Sequence, residues 1–128
     1  MITINGSDLT IAQIAAVAAG EPVAITTDAA VLGRVRNSRQ RIVEAVESGQ
    51  QIYGVTTLYG GMADKIVPRE KLLDLQRLSL WHHKVAAGPL LPKPDVRAAM
   101  LLRANSLLKG VSGVRPELIE RYVTFLNA

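Results

Sequence analysis

Glycine and proline punctuate this chain at intervals that leave room for helices and little else. Between these breakers lie stretches with apolar residues three and four apart, the spacing of one helix face. Thr10-Ile11-Ala12-Gln13 reads as a capping box, with Leu9 and Ile14 where a hydrophobic staple would close. This helix should run to about Ala19, with Gly20 beyond its end. Thr27 or Asp28 can cap the next helix, whose stripe is Leu32, Val35, Ile42 and Val46 and whose end is Ser48-Gly49. After Pro68 a helix from about Arg69 carries Leu72, Leu75, Leu78 and Leu80 through Trp81-His82-His83 to about Ala87, where Gly88-Pro89 stops it. Asp95 to Lys109, closed by Gly110, and Glu117 to about Leu126, opened by Pro116, complete the set. Ile2–Ile4 and Val23–Ile25 read as short strands. The expectation is a mainly α chain, a single segment over residues 1–128, with a few short strands near the N-terminus.

Aromatic residues make up only 4% of the chain, so Leu, Val, Ile and Ala must build the core. With no cysteine, disulfides, thiolate nucleophiles and Cys-based zinc sites are excluded. The N-terminus does not read as a secretory signal, and no apolar run reaches the roughly 20 residues a bilayer span needs. A cytoplasmic setting is expected. The net charge of +4 is spread among interleaved acids and bases. Without a basic run, an RNP-type aromatic motif or a zinc finger, this predicts a solvated helical surface, with no nucleic-acid or membrane partner.

Three places could carry chemistry. The first is Tyr53 to Gly61, where three glycines interrupt a segment (Gln51 to Val67) without helical period. It lacks both the Gly-Lys-Ser/Thr ending of a phosphate loop and the dinucleotide-binding spacing. It could be a ligand loop, or a tight turn beside a packed tyrosine. The second is Trp81-His82-His83-Lys84. Neighbouring helical residues point roughly 100° apart, so these histidines cannot chelate one metal as a pair one turn apart could; no metal site is expected. Lys84 would suit the negative end of the helix dipole. The third is the helix stretch Met100 to Lys109. Arg103 shares a face with Val96, Met100 and Leu107, and Asn105 with Leu101 and Leu108. Such groups are satisfied within the fold or line a polar cavity. The last helix carries Leu118, Ile119, Tyr122, Phe125 and Leu126, an apolar stripe expected to pack on something outside this chain.

In order along the chain these features resemble the histidine, phenylalanine and tyrosine ammonia-lyases. YGVTTLYGG is similar to that family's tyrosine loop, which typically reads Tyr-Gly-Val/Ile-Thr/Asn-Thr-Gly-Phe-Gly. LQRLSLWHHKVAAG resembles the following helix with its substrate-selectivity positions, and VRAAMLLRANSLLKGVSGVRPEL the segment after it. The resemblance is weaker over residues 1–50 and strong over 51–116.

It implies the N-terminal part of the helical, L-aspartase-like ammonia-lyase fold. It also implies that Tyr53 is the base removing the β-proton of an amino acid, although a phenol ordinarily titrates near pH 10. Gly60 would lie beside the substrate. Aligned on Gly88, the selectivity positions are Lys84 and Val85, and a lysine there suits a polar or acidic side chain. A shifted register would put His83 in the pocket and favour a hydroxylated aromatic substrate. Leu58 and Tyr59 replace the usual Gly-Phe. The family's electrophile, MIO (4-methylidene-imidazole-5-one), forms from Ala-Ser-Gly, which this sequence lacks; Ser112-Gly113 follows Val111. The implied protein is a small subunit of a split lyase or aminomutase. It would form a hetero-oligomer with a larger lyase-like chain that carries the Ala-Ser-Gly motif and the MIO. A non-catalytic subunit, or a fragment of a full-length lyase, is the alternative.

Overall fold

The computed structural model describes all residues, 1–128. The chain forms two compact units, residues 1–41 with 90–128, and residues 42–89.

The first unit begins with strand β1 (Ile2–Ile4), helix α1 (Ile11–Ala18) and strand β2 (Val23–Ile25). The strands pair in parallel, Ile2 opposite Val23 and Ile4 opposite Ile25. Parallel neighbours need a crossover, and α1 supplies it. Its capping box forms as the residues predict: the Thr10 N–H donates to Gln13 Oε1 at 2.9 Å, and the Gln13 N–H to Thr10 Oγ1 at 3.2 Å. Helix α2 (Ala29–Glu47) opens on Asp28, whose carboxylate accepts the Ala30 N–H at 2.7 Å. Asp28, and not Thr27, is therefore its cap.

Helices α4 (Lys93–Leu107) and α5 (Pro116–Asn127) close this unit. Helix α4 starts two residues earlier than the sequence suggested, because Pro94 falls in a first turn whose amides need no intrahelical partner. Helices α1 and α5 both pack on α4, and α5 also covers β2. The core is aliphatic: Ile4, Val17, Val23, Val31, Val35, Leu101, Leu107, Leu108, Ile119 and Leu126 are buried together.

Two polar side chains tie these layers. Asn105 is buried and its Oδ1 accepts the Gly6 N–H at 2.8 Å, so it is satisfied within the fold. Arg97 is half-buried and donates to the Val17 carbonyl at 2.7 Å and the Leu126 carbonyl at 2.6 Å, late in α1 and α5. Both carbonyls lie in the last turns of their helices, where a cation is favourable, and the Val17 carbonyl also accepts the Gly20 N–H at 3.0 Å. Arg103, expected to need a partner on an apolar stripe, is instead exposed.

The second unit contains the last turns of α2 and helix α3 (Leu72–His82), entered through a 3₁₀ turn at Arg69–Lys71. The Gln50 N–H reaches back to the Ala45 carbonyl at 2.8 Å and so ends α2 with Gly49 as its left-handed residue. Helix α3 stops at His82, short of the expected Ala87. The His83 N–H still bonds the Ser79 carbonyl, but the Lys84 N–H turns to the nearer Trp81 carbonyl, and no helical residue follows. A helix this short depends on burying a face, yet no residue of α3 is buried in this chain, and Leu78, Leu80 and Trp81 are exposed. Nothing stabilises further turns through Val85-Ala86-Ala87. Lys84 and Val85 therefore stand on an irregular, exposed segment and not on a helix.

Candidate active site

The loop from Ile52 to Val67 is internally braced by two threonines. The Thr56 hydroxyl accepts the Ile52 N–H at 2.7 Å and donates to the Gln50 carbonyl at 2.8 Å. The Thr57 hydroxyl accepts the Gly54 N–H at 3.2 Å and donates to the Leu58 carbonyl at 2.9 Å. Both side chains are buried, which their paired bonds permit. The two arms meet at the Thr57–Ile66 bridge, with the Leu58 N–H on the Lys65 carbonyl and the Val67 N–H on the Thr56 carbonyl. A 3₁₀ turn, Gly60–Met62, forms the tip.

On this frame stands Tyr53, with 64% of its surface exposed. Its phenol oxygen accepts the Gly60 N–H at 3.3 Å. The ring of Tyr59 meets it edge to face, with centroids 6.3 Å apart and planes at 86°. The fold thus joins Tyr53 and Gly60, seven residues apart in sequence. A hydroxyl that accepts a backbone N–H keeps its own proton free for exchange with a ligand. The same N–H suits a negative charge on that oxygen.

The other three candidates lie beyond α3 and share no hydrogen bond or ring contact with the loop. His83 Nδ1 faces the Ser79 carbonyl at 2.7 Å. A carbonyl can only accept, so Nδ1 carries the proton there. Lys84 Nζ lies 5.1 Å from the centroid of the Trp81 ring, a cation–π contact. Val85 is exposed. The side-chain bond between α3 and the loop is from Gln76 Nε2 to the Gly54 carbonyl, 3.4 Å. Gln76 and the buried roles of Thr56 and Thr57 escaped the sequence reading. A Thr-Thr pair inside a glycine-rich loop was a usable signal; for Gln76 there was none.

No group of three His, Cys, Asp or Glu side chains is placed to hold a metal. A cavity of about 260 Å³ lies in the first unit, walled mainly by Ile25, Leu32, Val35, Leu108 and Ile119. None of the candidate residues lines it, so the chemistry is sought at the tyrosine loop. Ser112-Gly113 forms an ordinary turn, with the Gly113 N–H held by Ser38 Oγ at 3.0 Å.

Comparison with known proteins gives the chain a family. Residues 9–128 match the family model described as aromatic amino acid lyase. An aromatic ammonia-lyase of Loktanella atrilutea is 62% identical over 99% of this chain and 23% of its own length. A phenylalanine ammonia-lyase of Nostoc punctiforme is 49% identical over the whole chain and 23% of its own length. The crystal structure of tyrosine aminomutase from Streptomyces globisporus superposes with a TM-score of 0.90 at 33% identity, over 98% of this chain and 24% of that one. The chain spans about a quarter of the length of the relatives it matches. With the family's fold and motifs in order along it, this chain belongs to the aromatic amino acid lyase family, of which it covers the N-terminal part.

Proposed function

We propose that this chain supplies the tyrosine-loop part of an ammonia-lyase or aminomutase site acting on an α-amino acid, with Tyr53 as the base for the β-proton. The observation that carries the proposal is that Tyr53 is exposed to solvent while its oxygen is held against the Gly60 amide by a braced loop. A base must be both reachable and held. The resemblance to an aromatic ammonia-lyase supports an aromatic amino acid as the substrate class.

The family's MIO does not fit the residues present. No Ala-Ser-Gly occurs, Val111 precedes Ser112-Gly113, and that turn is committed to Ser38. No step on that ring is assigned to this chain. A larger lyase-like partner would bring it, in a hetero-oligomer. The apolar side chains left uncovered, among them Leu80, Trp81, Leu118 and Phe125, support such an assembly. On this chain, Tyr53 first gives up its own phenol proton and then, as the phenolate, takes the β-proton and is returned to the phenol; the Gly60 amide steadies the oxygen, and the loop orients both.

Native mass spectrometry of a complex drawn from the source cells on tagged chain should show a stoichiometric larger family member. Tyr53→Phe should then lower turnover of phenylalanine, tyrosine or histidine by that complex by roughly 10²–10⁴-fold, the usual worth of a general base. The melting temperature should not change, since an exposed ring loses one long hydrogen bond. Turnover intact in Tyr53→Phe would refute the base. A complex containing this chain alone would refute the split enzyme.

A further inference from the structure

Gly54, the residue after Tyr53, is gripped from three sides. Its N–H donates to Thr57 Oγ1 at 3.2 Å and its carbonyl accepts Gln76 Nε2 at 3.4 Å. Its φ is +68°, and the edge of the Tyr59 ring lies 3.0 Å from where a Cβ would stand. The two peptide planes flanking Gly54 are therefore set by different hands. Thr57 fixes the plane shared with Tyr53 from within the loop. The next plane is held at both ends: within the loop its Val55 N–H donates to the Ile52 carbonyl at 3.1 Å, and from outside the loop Gln76 on α3 bonds its carbonyl. A glycine with φ above zero has wide backbone freedom, so these bonds together limit how far the planes rotate, and such rotation swings the Tyr53 ring; Gln76 is the one among them that comes from α3.

We propose that Gln76 is a positioning residue for Tyr53: its side-chain amide hooks the Gly54 carbonyl to α3 and so fixes the direction in which the phenol points. Gln76 is exposed, and ordering an exposed glutamine costs rotamer freedom, so the bond stands on its geometry alone. The catalytic half of this inference rests on the reading of Tyr53 as the base. Gln76 itself touches neither Tyr53 nor Gly60 by any hydrogen bond, so its influence passes through the Gly54 backbone.

The test uses three substitutions. Gln76→Leu removes the amide, Gln76→Glu keeps its shape but presents only acceptors, and Gln76→Lys restores an N–H donor. In the 128-residue chain, the nuclear Overhauser contact between the Tyr53 ring and the Gly60 amide should weaken in Leu and Glu and return in Lys. Thermal melting should stay level in all three. In the assembled enzyme, kcat should fall about three- to tenfold in Leu and Glu, the scale of one neutral hydrogen bond. KM should stay within twofold, and Lys should recover the rate. An unchanged contact in Leu and Glu overturns the proposal, as does a kcat loss that Lys does not rescue. Tyr53→Phe on the same assembly judges the base separately. Full activity there refutes the base and the catalytic half of this inference, a result that no Gln76 variant can mimic.

Discussion

Replacing Gly110 by alanine should destabilise the first unit more than any change of one methyl on its surface. Gly110 ends α4 at φ +72°, and a Cβ built there would stand 2.7 Å from the Arg34 carbonyl carbon, 2.8 Å from its Cβ and 2.9 Å from its carbonyl oxygen. Real Cβ atoms do not approach so closely, and two of the three atoms are backbone in the middle of α2. No rotamer change relieves the overlap; one helix must move from the other. A left-handed alanine costs about 1–2 kcal/mol, and overpacking a well-filled contact about 1–3 kcal/mol more. The lower entropy of the unfolded alanine chain offsets up to about 1 kcal/mol. The net loss is therefore roughly 2–4 kcal/mol, which at about 4–8 °C per kcal/mol for a unit of this size lowers the melting temperature by roughly 8–30 °C. Circular dichroism melting at 222 nm measures it. Urea unfolding should show an earlier midpoint at an unchanged slope. A melting temperature within about 2 °C of the parent would mean that α2 and α4 do not approach as described, and the packing argument would fall.

Gly33→Ala is the counterpart. Gly33 sits inside α2 at an ordinary helical φ, and a Cβ there meets nothing within 4 Å, so the substitution should stabilise by about 0.5–1 kcal/mol in the same melts; destabilisation would contradict the open surface. Arg97→Met should cost about 1–3 kcal/mol by urea unfolding, because it leaves the Leu126 carbonyl without its charged donor and the Val17 carbonyl with the Gly20 N–H alone. Arg97→Lys should recover only part of that, since one ammonium cannot reproduce the planar fork; full recovery by lysine would refute the role given to the guanidinium.

Much of the element pattern was legible because short-range chemistry fixes it. The Thr10–Gln13 box, the left-handed glycines and the first-turn prolines act over three or four residues, and those residues are adjacent in the sequence. The α2 stripe was half read: Leu32, Val35, Ile42 and Val46 do face inward in part. The best-buried residues of that helix also include Val31 and Ala45, because the burying surface is wider than one row. On α5 the single apolar stripe splits. Ile119 and Leu126 enter this chain's core while Leu118 and Phe125 stay outside it. Periodicity names a face but not what covers it. The over-long α3 has the same cause, for its leucines announced a helix of which no residue is buried in this chain.

At the site, the resemblance of YGVTTLYGG to the lyases' tyrosine loop named Tyr53 and Gly60, while the residues alone left a glycine-rich segment that could be a ligand loop or a tight turn. The contact between them depends on how the loop folds back on itself through Thr56 and Thr57, which are buried in bonds no pattern displays. Asn105 was flagged only as a polar group needing satisfaction; that its partner is Gly6, 99 residues away, is a matter of packing. Arg97 went unremarked, because its value lies in the carbonyls that two other helix ends bring to it. Sequence by itself determined where the backbone turns, caps and coils, since those preferences are set by atoms within a few bonds or one turn. Tertiary structure alone decided which polar groups meet, because hydrogen bonding is short-ranged in space and indifferent to separation along the chain.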